Sequence, residues 1–195
     1  ASRTGMVPSA MIQRDFNLEC VNLATSGQAR MDFYIAEAMA SIEDAICYVI
    51  DPVPNCTKDR CDTATYDFIN ILRTLRPEVP IVMVEGLMYP YTRHDSYHAE
   101  YLPQKNECFR RGFDQHVAEN PKGMYYMTHE GQTGPDMEGT VDGVHLTDYG
   151  FRAYADLLEI VVKEALDDTD VDYDVEPAYN VVRKKTFWQR LMDLF

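Results

Sequence analysis

The stretch Pro80-Ile81-Val82-Met83-Val84 decides the fold class. It is a short, uninterrupted apolar run rich in β-branched residues and bounded by turn formers, the pattern of a strand buried on both faces. Three similar runs occur elsewhere: Leu18 to Ala24, Ala45 to Ile50 and Met124 to Met127. Between and around them, Val7 to Phe16, Met31 to Ile42, Thr63 to Arg76, Gln104 to Glu119 and Leu146 to Leu166 carry apolar residues at three- and four-residue spacing, the mark of amphipathic helices. Strands alternating with helices predict an α/β protein built on a parallel sheet of four visible strands. The last helix begins at Thr147 or Asp148, either of which suits an N-cap.

The whole chain of 195 residues is long enough for one domain with a sizeable core. A net charge of -14 speaks against nucleic acid as a partner, because a binder of phosphate backbones needs a basic face. No apolar run approaches the roughly 20 residues of a bilayer-spanning helix. After Leu166 the composition turns acidic, so residues 167–186 read as a solvated linker, and residues 187–195 as a short amphipathic helix. Five cysteines are too few for a disulfide scaffold. Cys56 and Cys61 are spaced to close a small loop disulfide or to remain free thiols; a zinc site lacks further ligands at suitable spacing.

Three loops carry candidate chemistry. In Val141-Asp142-Gly143-Val144-His145-Leu146-Thr147, an Asp three residues ahead of a His can accept the imidazole Nδ1 proton and leave Nε2 to act as a base. Gly27, in Thr25-Ser26-Gly27-Gln28, allows a tight turn that aims an N–H at an oxyanion. Asn55, in Asp51-Pro52-Val53-Pro54-Asn55, offers a side-chain amide on a loop stiffened by prolines. His94 and His98 stand four apart, but their Tyr-rich, Pro-flanked setting reads as a surface loop rather than a metal site. Glu85 reads as a wall residue or a buried partner for Arg30, His129 and Glu130 as a pocket border, and His116 as a solvated helix residue. Tyr89, Tyr91, Tyr97 and Tyr101 offer a sugar-stacking surface or pack on their own domain.

Together these loops resemble the SGNH hydrolases, the GDSL-like lipase/acylhydrolase superfamily. The resemblance is close to a branch found in exported, carbohydrate-related bacterial proteins. It rests on Asn22-Leu23-Ala24-Thr25-Ser26-Gly27-Gln28-Ala29-Arg30-Met31, on Asp51-Pro52-Val53-Pro54-Asn55, on Leu75-Arg76-Pro77-Glu78-Val79-Pro80 with the strand that follows, and on Asp142-Gly143-Val144-His145. The likeness covers residues 1–166. It implies a three-layer α/β/α sandwich with a flavodoxin-like parallel sheet, and a serine esterase acting on short acyl esters such as acetyl groups on carbohydrate. His145 is then the base, Asp142 its partner, and Gly27 and Asn55 the oxyanion hole. No metal or cofactor is implied, and a secreted or periplasmic location is favoured.

The family's serine block, at the end of a first strand, has no match. Ala1-Ser2-Arg3-Thr4-Gly5-Met6 looks like the stretch just after that block, so the nucleophile is expected upstream of Ala1, and Ser2 is a poor substitute. The alternative is a glycan-binding or interaction module of the same fold lacking the nucleophile. A flavodoxin-like binder of phosphorylated ligands fits less well, for want of a Gly-rich phosphate loop.

Overall fold

A computed structural model describes residues 1–169. The linker expected at 167–186 begins within them, where Asp167 still belongs to the last helix and Asp168 follows as its C-cap; its remainder and the terminal helix expected at 187–195 lie outside the described residues. In chain order the elements are α1 (Pro8–Phe16), α2 (Phe33–Ala40), β1 (Tyr48–Ile50), α3 (Lys58–Leu75), β2 (Ile81–Val84), α4 (Ser96–Glu119), β3 (Met124–Met127) and α5 (Asp148–Asp167), with 3-10 turns at Thr4–Met6, Val53–Asn55 and Pro90–His94. The strands form a parallel sheet in the order β1-β2-β3, with Tyr48 opposite Ile81 and Ile81 opposite Met124.

Alternation along β2 builds the layers, because successive side chains leave a strand on opposite faces. Ile81 and Met83 enter a core with Ala36 of α2, Ile69 and Leu72 of α3, and Phe109 and Phe113 of α4. Val82 and Val84 enter a second core with Phe16 of α1 and Leu158, Val162 and Ala165 of α5. The result is the expected three-layer α/β/α arrangement. Helix starts are fixed by side-chain caps: Thr57, Asp95 and Thr147 accept from the backbone N–H of Arg60, His98 and Gly150.

Three expectations are corrected. Leu18 to Ala24 is not a strand. The free edge of β1 has no paired neighbour among the described residues, and without a ladder partner an apolar run cannot become a strand. Val21 and Leu23 are exposed, and Val49, the middle of β1, is 38% exposed where a central strand would be covered. Second, α3 and α4 start earlier than predicted, at their Thr57 and Asp95 caps. Pro103 lies inside α4 and does not end it, since it withholds a single N–H, the one that would reach the Ala99 carbonyl. Third, His116 is buried at 3% exposure. It follows Phe109 and Phe113 on the inward face of α4 and packs 5.9 Å from the Tyr66 ring, and burial pushes its pKa down.

Candidate functional site

In a parallel sheet every strand ends at the same edge, so the loops after β1, β2 and β3 gather there, the last of them leading into α5. That last loop is a tight structure. Thr140 and Leu146 form an antiparallel bridge, the Val141 N–H donates to the His145 carbonyl at 2.8 Å, and Gly143 has φ +88°. Asp142 Oδ1 accepts from the N–H groups of Val144 (2.9 Å) and His145 (2.7 Å), and Asp142 Oδ2 lies 2.7 Å from His145 Nδ1. These bonds, the His145 N–H and ring first and then the Val144 N–H, hold the Asp142 carboxyl well below the usual carboxylate range. A carboxylate can only accept, so the Nδ1 proton belongs to the imidazole and Nε2 presents its lone pair. His145 has a side-chain exposure of 77%, and its Nε2 has no hydrogen-bond partner among the described residues. The base and orienter predicted from Asp-x-x-His are thus brought together.

The loop is anchored to α5 by backbone contact. The Gly139 carbonyl accepts from Thr147 N–H at 2.8 Å, and a Cβ at Gly150 would lie 2.0 Å from that same oxygen, so this position requires glycine. Ser2 is nearby in the sense that matters for its candidacy: its N–H (2.9 Å) and hydroxyl both donate to the Asp148 carboxylate at the start of α5. Its hydroxyl is committed there and does not reach His145.

Asn55 closes the 3-10 turn after β1, with its N–H donating to the Pro52 carbonyl at 3.0 Å. Its side-chain amide has no partner among the described residues. Below it Val53 is buried at 2% exposure against Gly86, the second residue after β2. Gly86 is held in turn by Asn106 of α4, whose amide accepts from the Gly86 N–H and donates to the Gly86 carbonyl, both at 2.9 Å. The Gly27 turn has φ +69°, with its carbonyl accepting from Arg30 Nε (3.1 Å) and Nη2 (3.0 Å). Arg60, in the first turn of α3, donates to the carbonyls of Arg30 (2.8 Å) and Met31 (2.7 Å) and so ties the Gly27 loop to the helix that follows Asn55. No hydrogen bond joins Gly27, Asn55 and His145 to one another.

Other sequence candidates fall differently. Glu85, 9% exposed, does not pair with Arg30; it accepts from the His129 N–H at 3.0 Å and lies 2.7 Å from His129 Nδ1. Arg30 turns back on its own loop. His98 is not in a loop but in the first turn of α4, 2.6 Å from Asp95 Oδ2. Both pairings were missed, although Asp95-Ser96-Tyr97-His98 repeats the spacing of Asp142 to His145 and was legible. His94 ends the preceding turn, exposed. Among the described residues no three His, Cys, Asp or Glu side chains gather as a metal site. Cys56 and Cys61 are free thiols; the Cys61 thiol donates toward Cys56 and lowers its pKa.

No helix among the described residues is long and apolar enough to cross a membrane. The sequence profile of the GDSL-like Lipase/Acylhydrolase family matches residues 1–163. No curated protein matches the chain. Among solved structures it is similar to one from Bacteroides ovatus described as a GDSL-like lipase, at 27% identity and TM-score 0.80, over 88% of this chain and 50% of that one. It also shares the fold of a salicylyl-acyltransferase from a tetracycline biosynthetic pathway, at 14% identity and TM-score 0.67, over 84% of this chain and 50% of that one. The chain therefore spans about half the length of these structures.

Proposed function

From the premise that the chain belongs to the GDSL-like lipase/acylhydrolase family, we propose that it is the SGNH-type core of a serine hydrolase that cleaves short acyl esters, acetyl among them, through an acyl-enzyme. The observation that carries this reading is the Asp142–His145 pair, with Nδ1 held by a charged carboxylate and Nε2 open to solvent. In the proposed reaction a serine Oγ attacks the ester carbonyl while His145 Nε2 takes its proton. The same proton passes to the departing alcohol as the tetrahedral intermediate collapses to the acyl-serine. Water, deprotonated by His145, then releases the acid and restores the serine. Gly27 N–H and the Asn55 amide are the proposed donors to the oxyanion.

The serine itself is assigned to a strand preceding Ala1. Support comes from the edge of β1, which has no strand partner among the described residues, and from the exposed Val49 in its middle, as expected where one more parallel strand would pair. A strand in that slot runs out toward the Asn55 loop and returns to Ser2, which is pinned at Asp148, three residues past His145. Acetyl esters on carbohydrate are the substrate class we favour, and a secreted or periplasmic site of action goes with them. The exposure of the dyad, 77% for the His145 side chain and 51% for that of Asp142, suits a bulky alcohol.

The test is the intact mass of the natural protein before and after a fluorophosphonate, which traps activated serines. One adduct on a serine ahead of Ala1, lost in His145→Ala, is the expected result. An unlabelled natural protein would overturn the hydrolase reading and favour a glycan-binding module of the same fold.

A further inference from the structure

The segment from Tyr89 to His98 has no role in the acyl-transfer scheme, yet it lies against the catalytic loop. A Cβ built at Gly143 would meet Tyr91 Cδ1 at 3.4 Å and Tyr91 Cβ at 3.6 Å, so the ring of Tyr91 covers the middle of the Asp142–His145 loop. The same ring stacks on Tyr89, centroids 5.6 Å apart and 9° from parallel. It also meets the His98 imidazole edge-on at 5.3 Å and 82°. Tyr89, on the far side of the stack, lines a small crevice with Val53, Pro54 and Asn106, the underside of the Asn55 turn.

His98 is itself held as His145 is. Its N–H donates to Asp95 Oδ1 at 3.1 Å and its Nδ1 lies 2.6 Å from Asp95 Oδ2, against 2.7 Å and 2.7 Å in the catalytic pair. The protein thus has two Asp-x-x-His units with the same internal bonds and one tyrosine ring between them. Asp95 also caps α4, so the second unit is rooted in the first turn of a long helix, while the Asp142–His145 unit rides on an exposed loop.

We propose that Tyr91 is a positioning residue for the Asp142–His145 dyad, with the Asp95–His98 pair and Tyr89 serving to lock its ring. Gly143 has no side chain with which to anchor the loop, and its φ of +88° is accessible to glycine. The ring supplies the missing wall. Stacking on one side and an edge contact on the other fix the ring plane, which is how aromatic clusters gain orientation beyond area alone. Because Tyr89 borders the Asn55 turn, the stack sets the spacing between the base and the proposed oxyanion donor.

The kinetic part rests on the acyl-transfer reading, so the experiment has two arms. In the full-length natural protein, kcat and KM for p-nitrophenyl acetate are measured for the parent, Tyr91→Ala, Tyr91→Phe and His98→Ala. Tyr91→Ala is expected to lower kcat by about tenfold or more, in line with displacement of a catalytic group by a fraction of an ångström, with KM within about twofold. Phe restores kcat, because the wall is the ring and not the hydroxyl; His98→Ala shifts kcat in the same direction by less. In the second arm the His145 Nδ1–H resonance is followed by NMR in parent and Tyr91→Ala, and is expected to lose its protection from exchange. Parent-like kcat in Tyr91→Ala, a rise in KM alone, or an unchanged His145 resonance each overturns the proposal. A protein inert to both ester and fluorophosphonate overturns the hydrolase reading, and the NMR arm still decides the positioning role.

Discussion

Replacing Gly86 by alanine tests the support under the proposed oxyanion loop more sharply than removing Asn55 itself. The new Cβ would lie 2.6 Å from Val53 Cγ1, 3.0 Å from Val53 Cβ and 3.3 Å from Asn106 Oδ1. Carbon atoms in contact sit about 3.5 to 4.0 Å apart, so the shortfall is about 1 Å. Val53 is buried at 2% exposure and cannot rotate into free space, and Gly86 is held by two bonds to Asn106. The Val53–Asn55 turn must therefore move as a unit. Overpacking of this kind costs about 1–3 kcal/mol of stability, and a displacement of about 1 Å at Asn55, if it is the oxyanion donor we propose, costs about 100-fold in turnover. The assay is kcat on p-nitrophenyl acetate alongside the thermal midpoint, with Gly86→Ala/Val53→Ala as the rescue. The double variant removes Val53 Cγ1, the atom in the shortest contact, leaves the milder contacts with Val53 Cβ and Asn106 Oδ1, and should recover much of the lost kcat. If Gly86→Ala keeps parental kcat, or if trimming Val53 fails to restore it, Gly86 does not set the position of the turn.

Other outcomes follow from the same contacts. Asn55→Ala should lower kcat by about 100- to 1000-fold with an unchanged thermal midpoint, measured on the same ester, since its amide has no partner to lose in the described fold. Asn106→Ala leaves the Gly86 N–H and carbonyl without partners in a buried setting, which costs about 1–3 kcal/mol and should show as a lower urea midpoint with the slope retained. Burial, with a further contribution from Cys20, pushes the Cys47 thiol up to about 12. At pH 8 its thiolate fraction is then about one in ten thousand, rising with pH, so iodoacetamide should spare Cys47 until the protein unfolds; rapid labelling of the native protein at that residue would contradict the burial. Gly150→Ala places a Cβ 2.0 Å from the Gly139 oxygen and should abolish soluble expression, whereas Gly5→Ala, 3.7 Å from its nearest neighbour, should be silent by circular dichroism.

How much of this was legible in the sequence depended on how local each feature is. β2 and β3 declare themselves as short apolar runs between turn formers, the inward faces of the helices by their period, and the Asp142–His145 pair by a spacing within one loop. Leu18 to Ala24 reads equally well as a strand, but a strand is defined by a neighbour, and periodicity says nothing about whether the neighbour is present. The same limit hid the Glu85–His129 pair, whose members are 44 residues apart and meet because β2 and β3 end side by side. His116 departs from expectation for a different reason: its helix is rich in polar residues, yet the 109–113–116 spacing puts the imidazole inward. Asp95 and His98 carry the same spacing as Asp142 and His145, but their Tyr-rich, Pro-flanked context points to a loop rather than a helix start.

The bare edge of β1 also bears on how these residues behave in the test tube. Among the described residues its backbone donors and acceptors on that side have no strand partner and Val49 is exposed, which is the profile of a surface that recruits another chain. Residues 1–195 expressed alone should self-associate with rising concentration through strand addition at that edge. A lysine at Val49, set in the middle of the template, is the single change expected to keep them dispersed.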